Sequence, residues 1–295
     1  MNLLLPAIGF GVVTASILAL AGVGFTLQFG VTNILNLAYG SIMTGAAFAA
    51  LLVSQRGVNL WIAVAAGGAF GAVFSVALNR VVYTPFIRRG TRLFGMIIVT
   101  ISVALVVQYG IQAIWGASFF SLEGLHASAI QLGAFAFTTT QLGILGIGVG
   151  AMIAVHALLR YTTLGKAMRA TATNVELARN CGIATDRVID LAWAISGCLC
   201  GLAGVALVIN VTAFTDTTGS DLLIPIIAVA VLGGIGQAYG AMLGALIIGI
   251  TSEIAAALIS PDYKDVVAFV ILIAVLLVRP KGIFSEIASG KEVAA

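Results

Sequence analysis

Few side chains in this chain could do chemistry, and their spacing excludes most reactions. The 295 residues hold 11 acidic groups, 14 Lys/Arg, two histidines and three cysteines. His126 and His156 stand far apart with no Cys or carboxylate at ligand spacing, so no metal site is expected. Cys181, Cys198 and Cys200 are odd in number, and Cys198 and Cys200 fall on different faces of a helix. They read as packing thiols rather than as a disulfide framework or a metal pair. Gly165-Lys166 lacks the upstream glycine of a phosphate-binding loop, and no G-x-G-x-x-G occurs. No nucleophile and base can be paired from so few acids, so no catalytic residue and no cofactor is expected.

Polar groups inside apolar sequence remain. Gln28, Thr32, Asn33 and Asn36 fall in QFGVTNILNLAYG, between Gly30 and Gly40. Asn33 and Asn36 are three apart, so a helix would put both on one side. Their amides can donate and accept, which suits the wall of a solute path; a turn between two spans, capped by Asn, is the alternative. Glu253 is almost the only ionisable group within an apolar run. It reads either as a path or relay residue or as a carboxyl paired with a neighbour.

The elements that must position these groups are membrane helices. The chain is 61% hydrophobic and 8% charged, with a mean hydropathy of +1.15. So few charges cannot cover a soluble surface of this length. The apolar stretches do not alternate as barrel strands would, so helices carry the spans. The first basic residue is Arg56, so the positive start of a cleaved signal peptide is missing. Apolar runs lie near 7–29, 34–53, 60–79, 93–115, 141–159, 191–212, 223–259 and 265–278. A span needs about 20 residues, and 223–259 is long enough for two, broken at Gly233, Gly234, Gly236, Gln237 and Gly240. The expectation is an all-α bundle of about eight or nine membrane segments, some re-entrant or broken, forming one domain over residues 1–295. Small-xxx-small spacing at Gly67/Gly71, Gly146/Gly150, Gly197/Gly201 and Gly236/Gly240/Gly244 suits close helix approach. Ala38-Tyr39-Gly40 is echoed by Ala238-Tyr239-Gly240, as in a transporter with an internal repeat.

Charge orients the bundle. The 80–92 loop, residues 160–190 and the tail hold twelve of the 14 Lys/Arg, which the positive-inside rule puts in the cytoplasm. Arg56, Lys264, Glu123, Asp216, Asp221, Asp262 and Asp265 then lie outside, with a long loop at 116–140 free of Lys and Arg. That loop reads either as part of a docking surface or as an ordinary connection. Residues 160–190 form a polar island of unusual length. Its stretch Ala167 to Cys181 has no Pro or Gly and reads as helical, stopped by Gly182. Such a helix suits the groove of a soluble partner, or else the island is a solvated loop.

Four segments, in order, resemble the branched-chain amino-acid permease family of ABC importers: NILNLAYG (Asn33–Gly40), TTLGKAMRATATNVELARNCGI (Thr162–Ile183), VLGGIGQAYGAMLGALIIGI (Val231–Ile250) and LLVRPKGIF (Leu276–Phe284). Glu176, Ala178 and Gly182 also match the wider importer motif Glu-Ala-Ala-x-x-x-Gly, with Leu177 replacing an alanine. The resemblance implies that Ala170 to Gly182 is a coupling helix seated on an ATPase subunit. It assigns Arg169, Asn174, Glu176, Ala178, Arg179 and Gly182 to that contact. It further implies a translocation pathway through Gln28, Asn33, Asn36, Tyr39 and Glu253. Tyr39-Gly40-Ser41 stands where many members have His-Gly-acidic, so selectivity is expected to differ. The implied partners are cytoplasmic ATPases, a second permease subunit, an external solute-binding protein, a small polar solute and membrane lipid, with no nucleic acid. The implied location is a bacterial inner membrane. A stand-alone channel or an ion-coupled carrier is the rival reading.

Overall fold

Lipid offers backbone groups no hydrogen-bond partner, so apolar runs in a membrane must satisfy their own amides and carbonyls as helices. The computed structural model describes residues 4–122, 129–132, 135–211, 213–279 and 282. The chain begins with α1 (Leu4–Thr32), α2 (Tyr39–Ser54) and α3 (Leu60–Leu78). A π-helical turn at Asn79–Tyr83 then leads into α4 (Thr84–Arg88), followed by α5 (Leu93–Trp115). Strands β1 (Ala129–Leu132) and β2 (Phe135–Thr138) precede α6 (Thr139–Tyr161), α7 (Thr163–Thr173), α8 (Val175–Asn180) and α9 (Thr185–Val211). The last elements are α10 (Thr218–Asp221), α11 (Leu223–Gly233), α12 (Ala238–Leu258), a 3-10 turn at Pro261–Tyr263 and α13 (Lys264–Val278).

Six helices among the described residues are long and apolar enough to cross a membrane: Pro6–Thr32, Leu60–Arg88, Leu93–Trp115, Thr139–Tyr161, Thr185–Val211 and Ala238–Leu258. The other apolar runs are shorter. The 16 residues of α2 span about 24 Å at 1.5 Å per residue, short of the ~30 Å hydrocarbon core. The run 223–259 divides between α11 and α12, inside the glycine-rich stretch. The all-α expectation needs one correction. Strands β1 and β2 pair antiparallel, Ala129 opposite Thr138, within the long loop at 116–140. His126 and Glu123 lie outside the described residues, as do Lys281 and Lys291 of the tail.

Helices α1 and α9 form the centre of the bundle. Their apolar windows are 72% buried, against 22% for α5 and α6, which leave broad apolar faces uncovered. Helix α1 runs antiparallel to α12: Gly11 packs on Ile250, Ala15 on Gly249 and Gly30 on Gly236. Glycine sets the crossing of α3 with α9. A Cβ on Gly71 would strike the carbonyl of Gly197, and one on Gly201 that of Gly67. The spacing at Gly146/Gly150 does not serve this purpose, since nothing lies within 4 Å of a Cβ added at either position.

The two basic loops meet at one end of the bundle. Arg80 Nη2 lies 2.8 Å from Asp190 Oδ2, and Asn79 donates to Asp190 Oδ1 at 2.9 Å. At the other end, Phe48, Trp115, Phe120 and Phe214 cluster, and Phe120 and Phe214 exchange two backbone bonds of 2.9 Å. Gly71→Val is expected to cost about 1–3 kcal/mol or more through overpacking, lowering the melting temperature and the yield of monodisperse protein in detergent. Gly150→Val, at an open position, should leave both near the parent values.

Candidate functional sites: a polar cluster at a helix break and an exposed loop helix

The chain leaves helical geometry between Thr32 and Tyr39, and the side chains around that gap hold one another. Asn33 carries a positive φ of 54° and donates its N–H to Phe29 O at 2.7 Å. It is the left-handed stop of α1, a position Asn tolerates better than other side chains. Asn36 is fully buried. Its Oδ1 accepts from Ala38 N at 3.2 Å and from the Tyr83 hydroxyl at 3.2 Å. Its Nδ2 donates to Gln28 Oε1 at 3.4 Å, which also accepts from Ser196 Oγ at 3.3 Å. The Tyr39 hydroxyl donates to Ser196 O at 3.2 Å, and Cys200 Sγ donates to Tyr39 O at 3.3 Å. Gln28 Nε2, Asn79 Oδ1 and Trp193 Nε1 are buried nearby without a partner among the described residues.

Gln28, Asn36 and Tyr39 therefore come together, and two other path candidates do not join them. Asn33 is exposed and does not share a helix face with Asn36, because the helix ends between them. Glu253, on α12, lies beside the N-terminal half of α1, away from the cluster. It accepts from Thr14 Oγ1 at 2.8 Å and pairs with Lys264 Nζ at 2.7 Å. Tyr83, Ser196 and Trp193 were not singled out by the sequence. Each lies far along the chain from Asn36: Ser196 and Trp193 within apolar sequence that reads as ordinary span, and Tyr83 in the basic 80–92 stretch.

Two further breaks are closed by backbone contact. Gly219 N donates to Thr44 Oγ1 at 3.0 Å, and a Cβ on Gly40 would strike Gly219, so α2 and α10 begin against each other. Between α11 and α12, Gly234 and Gly236 adopt φ of 93° and 90°, and Gly240 packs on the backbone of Gly233. The tripeptide echo thus falls at helix starts in both places. Tyr39 is buried, whereas Tyr239 is 47% exposed and bonds to His156 Nδ1 at 3.0 Å.

The polar island is two helices rather than one over Ala167–Cys181. Asn174, with φ −158° and ψ 109°, ends α7, and its side chain accepts from Leu177 N to cap α8. The break follows from the residue type, since Asn competes with helical backbone and favours caps. Helix α8 stops at Gly182, φ 84°, with Gly182 N bonded to Arg179 O and Ile183 N to Ala178 O, both near 3 Å. This is the paired C-terminal bond pattern that a left-handed glycine permits.

The residues assigned to coupling divide accordingly. Asn174 and Gly182 are caps, and Ala178 is buried, fastening α8 to the bundle. Arg169 donates to the Leu159 carbonyl at the end of α6, a favourable place for a cation. Arg179 turns back to Thr185 Oγ1 and Asp186 Oδ1. Glu176 is exposed, flanked by Val175 at 37% and Leu177 at 61% exposure. Charge alone does not mark Val175 and Leu177; the apolar pair flanking Glu176 is the signal the sequence offers.

Asn36→Leu should destabilise the protein by about 1–3 kcal/mol for each partner left unsatisfied. Tyr83→Phe in the same background should recover part of that loss in a double-mutant cycle. Asn33→Gly should be neutral or slightly stabilising, because glycine adopts its φ freely; melting in detergent reads all three.

Comparison with known proteins agrees with this geometry. Residues 7–276 match the family described as branched-chain amino acid transport system / permease component. The chain is 33% identical over 290 residues to the high-affinity branched-chain amino acid transport system permease protein LivH of Escherichia coli strain K12, covering 94% of each. It is 30% identical over 302 residues to the corresponding protein BraD of Pseudomonas aeruginosa, again covering 94% of each. The autoinducer 2 import system permease protein LsrC of Shigella flexneri is 30% identical over 277 residues, covering 90% of this chain and 76% of that one. Among solved structures, PsaBC from Streptococcus pneumoniae in complex with Fab shares the fold. Its TM-score is 0.51 at 14% identity, over 95% of this chain and 91% of that one. A helical chain with six membrane-length helices, matched over nearly its whole length, belongs to the branched-chain amino acid permease family of ABC importers.

Proposed function

We propose that this chain is the permease subunit of a binding-protein-dependent importer of amino acids of the branched-chain kind, set in a bacterial inner membrane. The observation that carries this reading is the near full-length match to permeases named for branched-chain amino acid transport. Energy comes from separate ATPase subunits, and an external binding protein delivers the solute. A second permease subunit completes the path; the apolar faces of α5 and α6 are left free for it and for lipid. The chain forms one permease domain, in which α2, α10–α11 and α13 supplement the six long helices. The match to importer permeases argues against an ion-coupled carrier.

Helix α8 is the contact offered to the ATPase. Glu176, Val175 and Leu177 face outward, while Asn174, Ala178 and Gly182 hold the helix in place. An anchored short helix costs little ordering entropy on docking, which favours a firm mechanical link. Gln28, Asn36 and Tyr39 act on the path by holding the break at 33–38. The solute meets them only in a conformation in which their mutual bonds have opened. A ligand can drive that change only through differing affinity for the two states.

Leu177→Asp with Glu176→Lys is expected to abolish co-purification of the ATPase while leaving membrane insertion and melting unchanged. Full recovery of the complex would remove α8 from the interface. In liposomes, the chain alone should give no flux of leucine, and flux should require ATP, the ATPases and the binding protein. Flux through the isolated chain would overturn the importer reading. Asn36→Ala should reduce uptake several-fold more than Asn33→Ala at equal assembly.

A further inference from the structure

We propose that the groove between the π-helical turn, α4 and α8 is a second, inward-facing binding site for an aliphatic amino acid in its zwitterionic form, through which accumulated solute restrains the transporter. The site rests on the reading of the chain as an amino-acid importer.

The groove encloses about 790 Å³, within the range of about 300–1,000 Å³ typical of small-molecule clefts. Its chemistry is sorted by position. Asn79, only 2% exposed, lines it and gives its Nδ2 to Asp190 Oδ1 at 2.9 Å. The Asn79 Oδ1 has no partner among the described residues. A buried acceptor left open in this way waits for a donor. Asn79 also begins a π-helical turn, a form found frequently at functional positions. Asp190 lines the same groove, with its charge shared by Arg80 at 2.8 Å. Asn79 Oδ1 and Asp190 together suit an ammonium group.

At the rim, Arg88 makes no ion pair or hydrogen bond among the described residues. A free guanidinium is matched to a carboxylate, which it can bind through two parallel hydrogen bonds. Arg179, also on the rim, is already paired with Asp186. Val31, Ile87 and Ile189 supply apolar wall between floor and rim. An inorganic anion would use only the rim, and a simple amine only the floor. A ligand with an ammonium, a carboxylate and a branched aliphatic side chain uses all three.

The position suggests the consequence. Val175 of α8 and Ile87 of α4 both line the groove, so an occupant would bear on both α8 and the helix that continues from α3. Binding that favours one placement of α8 must alter the coupling of the ATPase, by linkage.

The test uses the permease–ATPase complex in nanodiscs, without binding protein, titrated with L-leucine. Isocaproate lacks the ammonium, isoamylamine lacks the carboxylate, and inorganic phosphate probes the rim alone. Leucine is expected to bind saturably and each analogue at least ten-fold more weakly. Asn79→Leu and Arg88→Gln should each weaken leucine ten-fold or more; Arg88→Gln alters only an exposed side chain and should fold normally. Arg89→Gln, outside the groove, should change nothing. In proteoliposomes with the binding protein outside, internal leucine should slow uptake in the parent and not in Arg88→Gln. Equal binding of phosphate would overturn the zwitterion site in favour of an oxyanion site. Leucine binding by the isolated permease but not by the complex would show the groove filled by the ATPase and overturn the regulatory role. Uptake that proceeds while internal leucine neither binds nor slows it would defeat the groove proposal alone. Absence of amino-acid uptake by the complete system would instead defeat the importer reading.

Discussion

A helix end buried among apolar side chains leaves amides and carbonyls that water cannot meet, and three such ends in this bundle are covered from within the chain. The stop at 33–38 is covered by side chains: Asn36 accepts from Ala38 N just before α2 while tying Gln28 and Tyr83 to the same point. The start of α10 is covered by Thr44, whose hydroxyl accepts from Gly219 N. The stop at 234–237 is covered by backbone, with glycines at positive φ letting α11 and α12 close on each other. Side-chain covers are specific and backbone covers are compact, so the first resists substitution by chemistry and the third by volume.

These covers connect the interior to the loop helix. Ser196 shares Gln28 with Asn36, and α9, which carries it, begins at Thr185 just beyond α8. Near that start, Asp190 binds both Asn79 and Arg80 of the π-helical turn. Bonded groups on α9 and the π-helical turn thus link the start of α9, beside α8, with the break at 33–38. The same turn carries Tyr83, which stacks on Trp193 at 5.0 Å and bonds to Asn36. One helical irregularity thus serves the groove on one side and the polar cluster on the other.

Much of this was legible before any fold was known. The apolar runs matched the long helices closely, because burial in lipid demands length and leaves little freedom. Gly182 read correctly as a stop, because few residues besides glycine enter the left-handed region freely. The single helix over Ala167–Cys181 was misread at Asn174, where a capping side chain outcompeted continuation of the helix. Pairing Asn33 with Asn36 failed for the same reason: a three-residue spacing has meaning only while the helix lasts. The spacing at Gly146/Gly150 looks like that at Gly67/Gly71, but only the latter meets another backbone.

The sequence by itself determined that the chain is a helical membrane protein, where its long helices fall, where its basic loops gather and which family it resembles. Those properties depend on composition and local pattern, which do not need distant contacts. Tertiary structure alone decided that Gln28, Asn36, Tyr83 and Ser196 form one cluster, that Glu253 has Lys264 as its counter-ion, and that Asn79 and Asp190 share a groove with Arg88. It also decided which members of the polar island hold α8 and which face outward. Partners of this kind are separated by up to 239 positions, and nothing in a linear pattern specifies which polar groups will meet once helices have packed.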